Sequence, residues 1–306
     1  MKVIFMGTPN IGTSVLKALI DLNLEIVGVV CQPDREMDRK KNYIFSPVKK
    51  MALENNIPIF QPEKIKEITN EIKNINPDII ITCAYGQFIN SEILAIPKFG
   101  CINVHASLLP KLRGGAPIHW AIINQEKTTG ISLMDMVSKM DAGDVYLQYE
   151  CLIDEFETYD SLYSKLSNLA YKIVFENFFN LIDKKLSKKV QDESLVTFGY
   201  NIKKEESIIN FDDLASNVDS WIRGLTSKPG AVWNYQNQNI KILKAKITNK
   251  QSTLPPGTIV AIDKNGIQIA TKDFNILLEE IQLPNKKPTL ISQIINGNHI
   301  FQVGSK

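Results

Sequence analysis

The chain has 306 residues, of which 44% are hydrophobic and 22% are charged, and its formal net charge is +2. This composition supplies enough apolar residues for the cores of one to three domains, and it excludes a disordered or highly charged chain. No apolar run approaches the ~18 residues that a membrane-spanning helix needs, so we expect no membrane partner.

The start of the chain and its cysteines favour the cytoplasm. The opening MKVIFMG begins a strand directly and leaves no room for a signal peptide. The cysteines have neither CxxC nor zinc-site spacing, and we expect them to be buried thiols of a reducing compartment: Cys31, Cys83, Cys101 and Cys151. No metal site is indicated.

Short apolar segments alternate with segments of helical spacing in the first part of the chain. The predicted strands are KVIFMG (2–7), EIVGVVC (25–31), PDIIITCAYG (77–86) and CINVHAS, which begins at residue 101. Between them, TSVLKALIDL, VKKMALENN and IKEITNEIKNI have helical character. This alternation predicts an α/β fold, a Rossmann-like and mostly parallel sheet with helices on both faces.

The pattern changes after this sheet. Two strands joined by a turn around MDAGD precede a long helical stretch, 159–186, which is expected to close a first domain over 1–186. The polar, weakly patterned stretch 187–206 is predicted to be a linker. Short strand-like segments with Pro-Gly and Asn-Gly turns then predict a small β-barrel or sandwich as a second domain over 207–306.

Asn103 and His105 are the strongest candidates for chemistry. Because side chains alternate along a strand, both project from one face near the carboxyl end of CINVH, the end where open α/β sheets bind ligands. An amide N–H and an imidazole N–H together could donate to a developing oxyanion. A carboxylate from the MDAGD turn would complete the set, and spacing alone does not choose between Asp141 and Asp144. By contrast, GTPNIG (7–12) lacks the full G-x-G-x-x-G pattern and is interpreted as a tight turn rather than a dinucleotide site.

Positive charge is concentrated in two parts of the chain. The loop 35–50 is rich in Lys and Arg, which could simply form a solvated face. From Trp221 onward there are eleven Lys and Arg against four Asp and Glu, so the second domain is basic although the whole chain is nearly neutral. Clustered positive charge of this kind is typical of proteins that bind nucleic-acid phosphates.

A combination of motifs identifies a family resemblance. NVHASLLPKLRGGAPIHWAI and the later TGISLMDMVSKMDAGD join an N-x-H pair, SLLP, RG-x-AP, T-G-[IV] and D-x-G-D. This set resembles the tetrahydrofolate-dependent formyltransferases. The resemblance extends over nearly the whole chain to the members of the family that act on tRNA, through FMGTP, QPDR with SPVK, AYGQ, IKKEE and KPGAVW.

The resemblance implies a role for each matching position. Asn103, His105 and Asp141 match the catalytic triad, which selects Asp141 over Asp144. Folate contacts are implied for two segments: Ser107, Leu108, Leu109 and Pro110, and Tyr85, Gly86 and Gln87. Contacts with tRNA are implied for Arg39, Lys40 and Lys41 in the charged loop, and the second domain is expected to be an OB-type barrel that contacts tRNA.

The expected reaction moves the formyl group of 10-formyltetrahydrofolate to the α-amine of methionine on initiator tRNA. The resemblance implies no metal, and we expect a monomer. Three alternatives remain open at this point: formyl transfer to an amino-sugar nucleotide, a folate-linked hydrolase that uses water as acceptor, and a non-catalytic RNA-binding protein.

Overall fold

The computed structural model describes residues 1–35, 37, 41–295, 297 and 299–306. The chain forms two compact units. The first contains Met1–Pro117, Thr128–Leu152 and Tyr163–Tyr200, and the second contains Ile118–Lys127, Ile153–Leu162 and Asn201–Lys306. The stretch 187–206, predicted to be a linker, is divided between the two units at residue 200.

The first unit is built on a seven-stranded sheet whose strands follow the order β3-β2-β1-β4-β5-β6-β7. Pairing is parallel from β3 to β5 and antiparallel for the last two strands. The strands are β1 Lys2–Gly7, β2 Glu25–Val30, β3 Ile59–Phe60, β4 Ile79–Cys83, β5 Cys101–His105, β6 Thr128–Asp135 and β7 Val145–Leu152. The helices before residue 100 are α1 Asn10–Asp21, α2 Pro47–Glu54, α3 Thr69–Ile75 and α4 Ser91–Leu94.

The central strands are apolar because they are buried. Residues 3–6 of β1 and 79–81 of β4 are at most 1% exposed, as expected for parallel strands covered on both faces. The strand order runs outward in opposite directions from the β1–β4 pair, so the carboxyl ends of these strands flank a topological switch point. Ligands of open α/β sheets bind in the crevice at this edge.

Residues 187–200 belong to the first unit through backbone pairing rather than through an apolar face. Arg113 donates its backbone N–H to Thr197 O at 2.9 Å, and Gly199 returns a bond to Arg113 O at 2.8 Å. Lys189 exchanges two backbone bonds with Val145 at the start of β7. Backbone bonds of this kind need no hydrophobic periodicity, which is why the sequence of this segment appears unpatterned.

The second unit contains a six-stranded antiparallel sheet in the order β10-β11-β12-β9-β8, with β13 paired to β12. Its strands are β8 Ala231–Tyr235, β9 Gln238–Ile247, β10 Ile259–Asp263, β11 Gly266–Ile269, β12 Ile276–Gln282 and β13 Thr289–Leu290. The α-helices of the described residues after residue 100 are α5 Pro117–Ile123, α6 Tyr159–Ile182, α7 Ala215–Gly224 and α8 Ile291–Ile294. The rings of Trp233, Tyr235 and Phe301 lie in one buried cluster of this unit. The predicted fold class, a mostly parallel sheet with helices followed by a small β domain, is confirmed.

Three of the four cysteines are buried, as predicted from the sequence. Cys31, Cys83 and Cys101 are buried, and Cys151 is half-buried. Burial raises the pKa of the Cys83 and Cys101 thiols to about 12, so neither is a nucleophile near neutral pH. In the part of the chain that the structure describes, no helix has the length and apolar character to cross a membrane.

Candidate active site

Strand β5 places Asn103 and His105 at the carboxyl edge of the sheet. Asn103 lies opposite Thr82 of β4, whose buried hydroxyl donates to Asn103 Oδ1 at 2.8 Å. This bond fixes the orientation of the amide and directs its Nδ2 donor away from β4. Among the described residues none accepts a hydrogen bond from Nδ2, and Asn103 is only half-buried. The sequence analysis did not single out Thr82, because a threonine in a buried strand has no distinguishing pattern.

The ring of His105 is held between two groups. Its Nε2 donates to the carbonyl oxygen of Leu112 at 3.0 Å, because a carbonyl can only accept. Its Nδ1 lies 3.8 Å from Oδ2 of Asp141, with the ring 6% and the carboxylate 16% exposed. This distance is too long for a hydrogen bond, and the two groups form an ion pair only when the ring carries a charge. Nδ1 is therefore the ring nitrogen that faces the carboxylate.

Asp141 is oriented by the loop that follows SLLP. Its Oδ2 accepts a hydrogen bond from the backbone nitrogen of Gly114 at 2.8 Å. Gly114 has φ +124°, and a Cβ there would lie 2.7 Å from the carbonyl oxygen of Gly199, so only glycine fits. The RGGAP motif, through Gly114, thus brings a backbone donor to the carboxylate. Asp141, and not Asp144, is the acid of the MDAGD turn that faces His105.

The SLLP segment is fixed by two polar side chains that the sequence analysis missed. Ser132 of β6, directly opposite His105 in the sheet, donates to Ser107 O at 2.6 Å and accepts from Leu109 N at 3.1 Å. Gln148 of β7 donates to Leu109 O at 2.9 Å. The sequences of β6 and β7 around these two residues have no distinguishing pattern. Their contacts with the SLLP segment become evident only from the register of the strands.

These contacts determine which parts of SLLP can meet a ligand. Ser107 is buried and its hydroxyl donates to Lys111 O at 2.6 Å, while Leu109 packs into a small buried cluster with Met134. Leu108 and Pro110 remain half-exposed. The segment therefore offers a rigid, mostly apolar surface beside His105.

The ring of Tyr85 packs in the core, and its backbone carbonyl accepts hydrogen bonds at the carboxyl edge of the sheet. The ring is 4% exposed within a buried cluster of the first unit, and burial raises the pKa of its hydroxyl. Its carbonyl oxygen accepts from Thr8 Oγ1 at 3.3 Å and from Gln32 Nε2 at 3.1 Å. Thr8 and Gln32 follow β1 and β2, so these bonds join the ends of three strands at the switch point. Gly86 is exposed, with φ +88°.

The side chain of Gln87 is hydrogen-bonded to the backbone of a neighbouring segment. Its Oε1 accepts from Ile65 N at 2.8 Å, and its Nε2 donates to Pro62 O at 3.3 Å and Glu63 O at 3.2 Å. Every polar atom of the side chain thus has a partner in the segment 62–65. The folate contact that the resemblance implies for Gln87 stays a prediction.

Of the three basic residues predicted to contact tRNA, the structure describes one. Lys41 is exposed and has φ +65°, whereas Arg39 and Lys40 lie outside the described residues. Two other cations of the charged loop pair with carboxylates: Arg35 with Glu63 and Lys49 with Asp34.

Two family models match the chain. The model described as formyl transferase matches residues 1–177, and the formyl transferase C-terminal domain matches residues 201–299. The chain belongs to the formyl transferase family. Asn103, His105 and Asp141 all lie in the first of the two matched regions.

Individual relatives agree with this membership. The chain is 50% identical over 99% of its length to methionyl-tRNA formyltransferase of Malacoplasma penetrans, covering 95% of that protein. It is 49% identical over 98% of its length to methionyl-tRNA formyltransferase of Ureaplasma parvum, covering 98% of it. Among solved structures, WlaRD, a sugar 3N-formyl transferase studied with dTDP and 5-N-formyl-THF, superposes with a TM-score of 0.67. That match has 21% identity and covers 94% of this chain and 99% of WlaRD, which shows a shared fold.

The donor set of the site suits an organic co-substrate. Within residues 1–35, 37, 41–295, 297 and 299–306, no group of three or more His, Cys, Asp and Glu side chains is placed to hold a metal. The groups at the carboxyl edge are an amide, an imidazole, one carboxylate and half-exposed apolar side chains. Formyl-tetrahydrofolate, the formyl donor of the family, is the co-substrate.

Proposed function

We propose that this chain transfers the formyl group of 10-formyltetrahydrofolate to the α-amino group of methionine esterified to initiator tRNA. The names of the two bacterial relatives, which match this chain nearly end to end, support this acceptor. The basic composition of the segment after Trp221 suits a tRNA substrate. The single observation that carries the chemistry is the approach of Asp141 Oδ2 to His105 Nδ1, beside the amide of Asn103.

The chemical step begins with a neutral amine. Its nitrogen attacks the formyl carbon, a C–N bond forms, and the carbonyl electrons move onto oxygen to give a tetrahedral oxyanion. Collapse of this species restores the C=O bond and breaks the bond from carbon to N10 of the folate. The attacking nitrogen must lose one proton, and N10 must gain one, so the site needs an oxyanion donor and a proton carrier.

Asn103 fits the role of oxyanion donor. Its Oδ1 is occupied by the Thr82 hydroxyl, so the amide cannot rotate without losing that bond, and Nδ2 is left as a fixed donor. A donor that is oriented before the reaction stabilises negative charge without reorganisation. Loss of such a donor typically costs about 2.7–4 kcal/mol of transition-state stabilisation.

His105 fits the role of proton carrier rather than that of a second oxyanion donor. The sequence pattern favours a ring that donates to the oxyanion, but Nε2–H donates to Leu112 O. The remaining nitrogen, Nδ1, would accept the proton released by the attacking amine and then return it to N10. Asp141 would stabilise the imidazolium between these two steps, since its carboxylate lies 3.8 Å from Nδ1.

The formyl donor would lie against the SLLP segment. Leu108 and Pro110 present apolar surface there, and the backbone beneath them is immobilised by Ser132 and Gln148. A flat, partly apolar ring system suits a rigid wall of this kind with a few polar groups at its edge. Bound there, the co-substrate supplies an activated formyl carbon.

The experiment that tests this function offers three acceptors to the same enzyme and formyl donor. They are methionyl initiator tRNA, methionyl elongator tRNA and a dTDP-linked amino sugar. We expect formyl-methionyl initiator tRNA as the main product, with slow reaction of the elongator tRNA and none of the sugar nucleotide. Preferred formylation of the sugar nucleotide, or release of formate with no acceptor required, would contradict the proposal.

A further inference from the structure

Gln191 is buried in a segment whose neighbours are mostly exposed. Its side chain is 8% exposed, whereas residues 187–190 and 192–195 are all exposed. The amide Nε2 donates to Asp141 O at 2.8 Å and to Gly143 O at 2.7 Å. One side chain therefore uses both of its donor hydrogens on the backbone of the turn that carries Asp141.

That turn has an unfavourable backbone conformation. Asp141 has φ +48°, in the left-handed region that non-glycine residues rarely occupy. Gly143 is packed so tightly that a Cβ would lie 2.0 Å from Asp135 O. Such conformations persist only when surrounding contacts stabilise them. Gln191 supplies two such contacts, since it donates to the carbonyl oxygens of Asp141 and Gly143.

Arg113 fixes Gln191 from the opposite side. Its guanidinium is fully buried, and Nε and Nη2 donate to Gln191 Oε1 at 3.0 and 2.9 Å. Nη2 also donates to Glu193 Oε1 at 2.9 Å. A positive charge on the acceptor side of an amide polarises its N–H groups and strengthens the bonds they donate. The next residue, Gly114, gives its backbone N–H to the carboxylate of Asp141.

We infer that Gln191 is a positioning residue that holds Asp141 against His105, with Arg113 as its anchor. Asp141 is held at its carbonyl by Gln191 and at its carboxylate by Gly114, and both contacts lead back to the Arg113 segment. This inference rests on the proposed function for its kinetic consequence, but not for the geometry that it assigns. Gln191 acts through Asp141 and does not itself touch the reacting atoms.

The discriminating variant is Gln191→Glu. It keeps an oxygen acceptor for Arg113 but replaces the two donor hydrogens with a second oxygen that repels the carbonyls of Asp141 and Gly143. Glu193→Gln is the matched control: it changes the other partner of Arg113 and the ion pair with Lys139, but leaves the bonds from Gln191 to Asp141 O and Gly143 O in place. Gln191→Asn, which keeps all polar atoms but is too short to span both contacts, serves if Gln191→Glu does not fold.

Two readouts separate positioning from a purely structural role. Steady-state kinetics should show a fall in kcat of at least about tenfold, with both KM values within about twofold of wild type. The ring ¹⁵N chemical shifts of His105 at fixed pH should move as they do in Asp141→Asn. The chain has only three histidines, so these signals can be assigned with single substitutions. Glu193→Gln should match wild type in both measurements.

A lowered melting temperature with unchanged kcat and unchanged His105 signals would overturn the inference, because Gln191 would then only stabilise the turn. Lack of formyl transfer to methionyl-tRNA by the wild-type enzyme would instead overturn the proposed function. In that case the His105 ring signals alone decide the inference: a shift in Gln191→Glu that matches Asp141→Asn supports it, and unchanged signals refute it.

Discussion

Oδ2 of Asp141 lies 3.8 Å from Nδ1 of His105 and accepts a hydrogen bond from the backbone nitrogen of Gly114 at 2.8 Å. The backbone bond fixes the carboxylate, and the carboxylate in turn faces the one ring nitrogen that is not engaged by Leu112. Asp141 thus faces His105 without a direct hydrogen bond between them.

Asp141→Asn should therefore lower kcat by about a hundredfold, within the range of general acid–base contributions. Asparagine keeps an oxygen for the Gly114 bond and the shape of the turn but removes the negative charge that faces Nδ1 of His105. Asp144→Asn is the control, since the backbone carbonyl of Asp144 accepts from Asp135 N whatever its side chain. Steady-state kinetics with saturating substrates checks both. Equal losses in the two variants would argue against a specific role for Asp141.

Thr82→Val should impair the enzyme only through Asn103. Valine fills the same volume but cannot donate to Asn103 Oδ1, so the amide becomes free to turn. We expect kcat to fall by about tenfold, less than the hundred- to thousandfold for Asn103→Ala. In the double variant, Thr82→Val should add almost nothing to Asn103→Ala, because the group that it orients is absent. Independent, multiplicative losses would show that Thr82 acts elsewhere.

Ser132→Ala should affect use of the formyl donor. The substitution removes the bonds to Ser107 O and Leu109 N and frees the SLLP segment. We expect the KM for 10-formyltetrahydrofolate to rise with little change in the KM for tRNA, and a stability loss of about 1–3 kcal/mol in urea unfolding. A rise confined to the tRNA KM would place the folate elsewhere.

Formylation should be strongly salt-dependent if the acceptor is tRNA. Lys and Arg contacts with phosphates release counterions, so kcat/KM for tRNA should fall steeply as salt rises. In a plot of log(kcat/KM) against log salt concentration, Arg39→Ala should make the slope less steep by about one unit. Arg35→Ala is the matched control, because Arg35 already pairs with Glu63 at 2.6 Å. A rate that does not depend on salt would favour a small-molecule acceptor.

The second unit should lose stability in mild acid through His119. This ring stacks on Tyr159 and its Nδ1 bonds Gly224 O at 2.8 Å, and burial lowers its pKa from the ordinary value of 6.5. Below pH 6.5, His119 binds a proton in the unfolded chain but stays neutral in the folded chain. The free energy of unfolding therefore falls as pH decreases toward the folded-state pKa. Urea unfolding at pH 7.5 and 5.5 should show a smaller loss of the free energy of unfolding for His119→Asn than for the wild type, because asparagine is not protonated in this range. An identical loss in both proteins would assign the effect to other groups.

The sequence predicted those features that leave a periodic or motif signal. The strand KVIFMG at 2–7 coincides with β1, and alternation along CINVH correctly puts Asn103 and His105 on one face of β5. The long helical stretch at 159–186 corresponds to α6, Tyr159–Ile182. Apolar periodicity reports burial directly, so these elements could be predicted without any knowledge of their neighbours.

Contacts made by single polar residues could not be predicted in this way. Gln191 lies in a stretch predicted to be a linker, because backbone pairing and one buried amide produce no pattern. The AYGQ motif gave no sign that the ring of Tyr85 faces the core or that Gln87 bonds the segment 62–65. Motifs specify which residues occur, while the register of neighbouring strands and loops determines what each side chain contacts.

The most direct test is the single-turnover rate of formyl transfer to methionyl initiator tRNA by Asn103→Asp, with both substrates saturating. The substitution replaces the oriented amide donor with an oxygen of nearly the same size. We predict that the rate falls at least about a hundredfold while both substrates still bind with wild-type affinity. A wild-type rate in this variant would contradict the account, since it would show that no donor at residue 103 stabilises the oxyanion.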